Sequence, residues 1–161
     1  MRKILFVALA IFALLIAVSA VSADDEWSFS FGSSSNTDGG SVEIVNNDLK
    51  IQDEKFTIPD GFKENDKKRI VGEDSTGIEN AKVTTCFLEK GNETIIVKIH
   101  FAEGGIENIT GPEGKDNVTI AGHSGFLSDD EDNETVFDFE LNEKLVEIIA
   151  PNQELIEEVL K

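Results

Sequence analysis

The chain has 161 residues and carries 32 acidic against 14 basic residues, which gives a formal net charge of −18. Such a body repels phosphate backbones and anionic lipid headgroups, so nucleic acids and acidic membrane surfaces are excluded as expected partners. Hydrophobic residues make up 40% of the chain and charged residues 29%, a composition typical of a globular domain rather than a disordered segment. We expect one soluble, monomeric domain.

Residues 1–23 have the pattern of a secretory signal peptide. Arg2 and Lys3 precede an unbroken apolar run over residues 4–18, and residues 21–23 suit the positions that a signal peptidase reads. We expect cleavage behind this triplet and export to the cell surface or the medium. The leader holds two basic residues and no acidic one, so the mature chain then carries −20. The alternative is an uncleaved N-terminal anchor, because the apolar stretch reaches 18 residues when residues 19–21 are included, near the lower limit for a membrane span.

Residues 24–41 are predicted to form an acidic linker rich in serine and glycine. Trp27, Phe29 and Phe31 alternate with serine at its start, which is the two-residue period of a strand. This aromatic triplet either docks on the domain or lies loose in the new N-terminal tail, and the sequence leaves both alternatives open. A single folded domain is predicted over 42–161.

Short strands bounded by turn residues fill most of the predicted domain. Residues 59–61 predict a turn and residues 90–93 a tight hairpin, whereas residues 63–80 show no clear period. Strand patterns occur at 41–45, 49–51, 55–58, 82–89, 94–101, 118–120, 125–127, 135–141 and 145–150.

One helix is predicted at the C-terminal end of the chain. Pro151 and Asn152 stand where a helix begins, Glu154 complements the positive end of its dipole, and residues 155–160 carry an apolar stripe. The predicted fold class is therefore α+β: an antiparallel β-sheet of short strands with the C-terminal helix packed on one face.

Cys86 is the single cysteine, so no internal disulfide can form. It lies in the strand pattern over 82–89, and free cysteine is among the most buried residue types. We expect a buried, unreactive thiol, with a covalent dimer as the alternative.

Four Asn-X-Thr sequons occur in or beside predicted turns, where an oligosaccharyltransferase reaches its acceptor. None has proline at its middle position, and each is a candidate for N-glycosylation in a host that has the enzyme. The alternative is that asparagine and threonine simply favour turn edges. The four asparagines are Asn92, Asn108, Asn117 and Asn133.

Residues 122–126 partly match the nucleophile elbow G-x-S-x-G of hydrolases. Phe126 stands where the sharp turn needs glycine, and the chain has no βαβ pattern around the motif. An extracytoplasmic hydrolase that uses Ser124 with His123, or with His100 as base, is nevertheless an alternative function. The structural interpretation of the motif is a turn between two strands.

The acidic run over 129–134 is the densest set of oxygen donors. Asp129, Asp130, Asp132 and Glu134 would suit calcium in charge and hardness, but Glu134 falls where an EF-hand needs its turning glycine. A solvated hairpin loop is expected, with a calcium-steadied adhesin as an alternative. Neither histidine has a partner at zinc-ligand spacing, and residues 111–116 lack the residues of a phosphate loop. No catalytic residue, metal or cofactor is therefore predicted.

From residue 56 onward, three segments carry a resemblance to a known group of proteins: residues 56–62, 118–126 and 146–159. With the acidic linker behind the leader, they are similar to small exported proteins of unknown function from methanogenic archaea. The resemblance implies an α+β sheet domain that faces the cell exterior, and it brings no functional residues. The function favoured by the sequence is a non-catalytic surface or secreted domain that binds an unknown extracellular or envelope partner.

Overall fold

A computed structural model describes residues 39–106, 117–129 and 134–161. The helical part of these ranges contains no segment with the length and hydropathy of a membrane span. Sequence predictions that lie outside them concern the leader, the aromatic triplet and most of the linker, Asn108, Asn133, Asp130 and Asp132.

The described part of the chain forms eleven β-strands and then one short helix. In chain order they are β1 (Val42–Val45), β2 (Asp48–Ile51), β3 (Glu54–Thr57), β4 (Lys63–Glu64), β5 (Ile70–Asp74), β6 (Lys82–Lys90), β7 (Glu93–Phe101), β8 (Asn117–Ile120), β9 (His123–Asp129), β10 (Thr135–Leu141), β11 (Lys144–Ala150) and α1 (Gln153–Val159).

The strands form two antiparallel sheets. The small sheet has the order β1-β2-β3, and the large sheet has the order β4-β6-β7-β11-β10-β9-β8. β5 also pairs with β6, beside residues 82–85, while β4 pairs beside residues 88–89. β4 and β5 therefore lie end to end along one edge of the large sheet.

The two sheets enclose one hydrophobic core. Alternation along β6, β7, β10 and β11 turns one face of the large sheet inward, and the side chains on this face are almost completely buried. The small sheet contributes Val42, Leu49, Ile51 and Phe56 to the same cluster. The small sheet therefore covers part of the inner face of the large one.

The short helix closes the core at the C-terminal end. Asn152 caps it, since the side-chain oxygen accepts a 3.0 Å hydrogen bond from the amide of Leu155. Ile156 and Val159 are buried against the core, and the helix packs beside β3 and β11. The predicted antiparallel sheet and terminal helix are both present, but the helix is so short that the molecule is mostly β.

Two features of the fold were not predicted: the division into two sheets, and the strands β4 and β5 within residues 63–80. β4 has only two residues, and the pairing of β5 with β6 shifts register between Ile70 and Glu73. Neither segment can therefore show a regular two-residue period.

Tight turns connect most neighbouring strands. The hairpin predicted at 90–93 is confirmed, because Lys90 pairs with Glu93 across a turn in which Gly91 has φ +61°. Three other two-residue turns have positive φ at both positions, which matches the twist of the flanking strands. They are Gln52-Asp53, Ala121-Gly122 and Asn142-Glu143.

A buried ion pair joins the two sheets. Glu54 of β3 is only 7% exposed, and its carboxylate accepts a 2.5 Å hydrogen bond from Nζ of Lys144. The side-chain amide of Asn142 donates to both carboxylate oxygens, at 3.1 and 3.0 Å, and Lys144 also donates to the carbonyl oxygen of Gln52 at 2.9 Å. The β2–β3 turn is thereby fixed to the β10–β11 turn.

The thiol of Cys86 lies in the core between the sheets. The residue is 0% exposed, and burial raises the pKa of the thiol well above its ordinary range. The prediction of a buried cysteine is confirmed, and the thiolate that would make it reactive is disfavoured.

Candidate functional site

A cleft of about 550 Å³ lies where the small sheet meets the β4 edge of the large sheet. Its apolar floor comes from Ile44, Ile58 and Phe62. The side chains at its rim are polar and exposed, namely Asn46, Asn47, Lys63 and Asp66. We call this feature the polar cleft.

Local hydrogen bonds place the floor beside the rim. The amide of Ile58 donates to the carbonyl oxygen of Asn47 at 2.7 Å, which extends the β2–β3 pairing to the bottom of the cleft. The predicted turn at 59–61 then reverses the chain, with Gly61 at φ +85° and a 3.0 Å bond from the amide of Phe62 to the carbonyl oxygen of Pro59. This turn brings the chain into β4 along the opposite wall.

Lys90 holds that turn against the large sheet. Its Nζ donates to the carbonyl oxygen of Asp60 at 3.0 Å and lies 5.3 Å from the centroid of the Phe62 ring. The contact fixes the floor of the polar cleft to the end of β6.

The inner wall of the polar cleft is a buried, bidentate ion pair. Nε of Arg69 donates to Oε1 of Glu64 at 2.6 Å, and Nη2 donates to Oε2. The side chains are 10% and 7% exposed. The hydrogen bond to Glu64 raises the pKa of Arg69, and the two-point geometry fixes the plane of the guanidinium group.

The turn over residues 65–69 brings Arg69 back to Glu64. The amide of Lys68 donates to the carbonyl oxygen of Asn65 at 3.0 Å, and both side chains bind the carboxylate of Glu89 on β6. The edge strand β4 and this anchored turn thus position the ion pair of Glu64 and Arg69. No recognised motif covers these residues, so they were not predicted from the sequence.

The charged residues of the polar cleft balance one another. Lys63 and Arg69 supply two positive charges, and Glu64 and Asp66 supply two negative charges. The cleft is therefore formally neutral on a strongly acidic protein. Its asparagine amides supply both donors and acceptors, so its chemistry suits hydrogen bonding to a polar ligand without net charge.

A second polar feature crosses the outer face of the large sheet, on the side opposite the core. Lys98 of β7, Glu147 of β11 and Asp138 of β10 lie directly opposite one another in register, and Lys98 is ion-paired with Glu147. Burial, and then the charge of Glu147, raise the pKa of Asp138 to about 6, while Lys98 opposes them. Among the described residues, Oδ1 of Asp138 is buried and has no hydrogen-bond partner.

This environment predicts a pH-dependent effect of the substitution Asp138→Asn. The pKa of Asp138 is about 6 in the folded state and 3.8 ordinarily, so the folded state binds the proton of this carboxyl more tightly than the unfolded state does. The free energy of unfolding therefore falls as the pH rises from 3.8 to about 6. The amide resembles the protonated carboxyl. We expect the variant to melt at a higher temperature than the original chain at pH 8 and at a similar temperature at pH 4.

Thermal unfolding followed by circular dichroism at both pH values measures this difference. Glu140→Gln is the matched control, because Glu140 is the next outward residue on the same strand and is exposed. If Asp138→Asn raised the melting temperature by the same amount at pH 4 and pH 8, the prediction would be contradicted.

His100 and Ser75 form a contact on the outer face. The hydroxyl oxygen of Ser75 lies 3.0 Å from Nδ1 of His100, and it also accepts hydrogen bonds from the amides of Gly77 and Ile78. Burial lowers the pKa of His100, which favours the neutral ring that can accept the hydroxyl proton. The pair therefore secures the turn over residues 75–78.

The structure does not bring Ser124 together with either histidine. His123 and Ser124 are consecutive on β9 and point to opposite faces of the sheet. The ring of His123 lies 4.8 Å from that of Phe139, whereas Oγ of Ser124 lies 3.3 Å from Oγ1 of Thr119. His100 is on β7, three strand positions away, or roughly 14 Å at the usual spacing between strands.

The two glycines of the elbow-like motif have different structural roles. Gly122 has φ +87° in the β8–β9 turn, as a turn interpretation requires. Gly125 is not among the described residues with positive φ, but it has no room for a side chain because β10 lies against it. The motif is a hairpin with one close backbone approach.

The remaining candidate residues that the structure describes lie in turns or at the ends of strands. Asn92 is exposed in the β6–β7 turn, and Asn117 is exposed at the first position of β8. Asp129 ends β9, and Glu134 immediately precedes β10. In the ranges that the structure describes, no three metal-ligating side chains cluster together. The other predicted donors of the acidic run, Asp130 and Asp132, lie outside the described residues.

No protein-family model matches the sequence, and no curated protein or solved structure is significantly similar to it. The resemblance to exported archaeal proteins stays a prediction. Function is therefore inferred from the chemistry of the sites themselves.

Proposed function

We propose that this chain is an exported, non-catalytic domain of α+β class that binds a small polyhydroxylated ligand, such as a saccharide, in the polar cleft. One observation carries the proposal: exposed amide and charged side chains converge above an apolar floor, against the bidentate pair of Glu64 and Arg69. The cleft volume falls within the range of small-molecule sites, roughly 300–1,000 Å³.

The ligand class follows from the hydrogen-bonding groups of the cleft. A guanidinium has five N–H donors, and Glu64 takes two from Arg69. The amides of Asn46 and Asn47 donate and accept, which matches a hydroxyl group that does both. Because the lining has no net charge, a neutral ligand leaves no charge uncompensated. The apolar floor suits the C–H faces of a sugar ring.

The inner wall of the cleft also supports binding rather than catalysis, because its two charged side chains are held by each other. The leader pattern and the charge of the mature chain support a function outside the cell.

Titration of the isotope-labelled mature chain with mono- and disaccharides, followed by NMR, tests the proposal. We expect shifts at the side-chain amides of Asn46 and Asn47. The double variant Asn46→Ala/Asp66→Ala should weaken binding about tenfold or more, since it removes two rim contacts from exposed positions.

The control for this titration is Lys67→Ala. Lys67 is exposed in the adjoining turn and does not line the cleft, so binding should be unchanged. Saccharide shifts that map to another surface, or that persist in the double variant, would contradict the cleft as the site.

A serine-reactive fluorophosphonate probe separates this proposal from a hydrolase. We expect no labelling of the folded chain, because Ser124 has neither His100 nor His123 as a base. Activity-based labelling is read by fluorescence after electrophoresis, with Ser124→Ala beside the original chain. Labelling that is lost in Ser124→Ala would favour the hydrolase and contradict the proposal.

A further inference from the structure

We infer that Asn117 is an N-glycosylation site and that its sugar covers the open edge of β8. The inference rests on the export proposed above, because the transferase acts outside the cytoplasm. It goes beyond the cleft, which lies at the opposite edge of the large sheet.

The sequon that begins at Asn117 lies on an edge strand. In the part of the chain that is described, β8 ends the large sheet and pairs with β9 alone. No described strand pairs with the other side of its backbone, and an edge of this kind is one that a protein can use to bind an extended segment. A transferase can hold this acceptor without breaking a strand pairing.

The two recognised side chains of this sequon share one face. Asn117 and Thr119 are two positions apart on a strand, so both point to the outer face, and both are exposed. The amide and the hydroxyl group thus reach the same enzyme surface together.

The sequon at Asn92 is the natural comparison, and its geometry is less suitable. Asn92 is exposed but lies within a two-residue turn, where Lys90 pairs with Glu93. Thr94 is half-buried and pairs with Glu89 inside the sheet. Its amide and hydroxyl group therefore do not lie along one open extended segment.

The neighbour of Asn117 on β9 explains what a sugar would do there. Asn117 lies directly opposite Phe126, a register that puts the two Cβ atoms about 5 Å apart. Phe126 is half-buried, so the first sugar ring can pack on its exposed part. The glycan would then stand over unpaired backbone groups that otherwise invite pairing with another chain.

Transfer of the oligosaccharide to Asn117 needs no oxidant or reductant. The side-chain nitrogen of Asn117 forms a bond to the anomeric carbon of a lipid-phosphate-linked oligosaccharide. The bond from that carbon to the phosphate oxygen breaks, the lipid phosphate leaves with the electron pair, and the nitrogen loses one proton.

Expression in a host with a secretory pathway and an oligosaccharyltransferase tests the inference. The full chain is compared with a version in which the host's leader replaces residues 1–23, and each is secreted and analysed by intact mass and peptide mapping. We expect a glycan on Asn117 that is lost in Asn117→Gln and in Thr119→Val but kept in Asn92→Gln. Asn117→Gln and Thr119→Val each change an exposed side chain, so both variants should fold.

The role of the sugar is read from thermal unfolding. We expect the glycosylated chain to melt at a higher temperature than Asn117→Gln, with this difference reduced in Phe126→Ser. A melting difference that Phe126→Ser leaves unchanged would overturn the packing on Phe126.

Comparison of the full chain with the version that has the host's leader distinguishes a wrong glycosylation site from a failure of export. If the version with the host leader is secreted without sugar on Asn117, the glycosylation site is overturned. If only that version is secreted and it carries the sugar, the site is supported and export by the chain's own leader is contradicted.

Discussion

Replacing Lys144 with methionine is expected to lower the free energy of unfolding by about 3–5 kcal/mol, the usual cost of leaving one member of a buried ion pair without its partner. Lys144 is the cation bound to Glu54, which is 7% exposed between the two sheets. The amide of Asn142 would remain as the carboxylate's other donor, but it carries no charge. The interface between the sheets would then hold an uncompensated carboxylate.

Denaturant unfolding measures the loss, and two further variants test its cause. Lys50→Met removes a salt bridge to Asp53 whose side chains are 40% and 84% exposed, so water screens the pair and the free energy of unfolding should change little. The double variant Glu54→Leu/Lys144→Met removes both charges and should recover most of the stability. A double variant as unstable as Lys144→Met alone would show that the lost charge pairing is not the reason.

The substitution Gly125→Ala is expected to destabilise the chain by about 3 kcal/mol or more, the upper end of the usual cost of overpacking. An added Cβ would overlap the carbonyl oxygen of Asp138 and come within 2.7 Å of Cβ of Phe139 and 2.9 Å of the Phe137 ring. The first of these atoms is backbone inside the β9–β10 pairing, so it can move only if the strands separate.

Chemical denaturation, with amide exchange along β9 and β10, checks this result. Gly77→Ala is the control, because nothing lies within 4 Å of an added Cβ there and its effect should stay within about 0.5 kcal/mol. Equal stabilities of Gly125→Ala and the original chain would mean that β9 and β10 are farther apart than described.

Local patterns predicted the long strands and the helix well. The predicted strand over 135–141 coincides with β10, because Phe137 and Phe139 alternate with acidic residues and one face is buried. The start of the helix at Pro151 and Asn152 was also predicted, and the structure shows that Asn152 caps it by a bond to a residue three positions away. Short-range physics determines such elements.

The arrangement of these elements was not predictable in the same way. The ion pair of Glu54 and Lys144 joins residues 90 positions apart, and no periodicity marks either of them. The polar cleft is likewise made by chain segments from both sheets, including the short β4. A single sequence shows which residues can form hydrogen bonds, but the choice of partner depends on tertiary packing.

The antiparallel pairing of β7 with β11 has a consequence for how the chain reaches its folded state. Val97 meets Ile148 in this ladder, so the centre of the large sheet forms only when the last strand is available. Loop-closure entropy makes such a distant pairing slow relative to the neighbouring hairpins. In an emerging chain, the edge of the apolar β7 that pairs with β11 would stay uncovered until residues 144–150 have been synthesised, and truncation before residue 144 should leave an aggregating product.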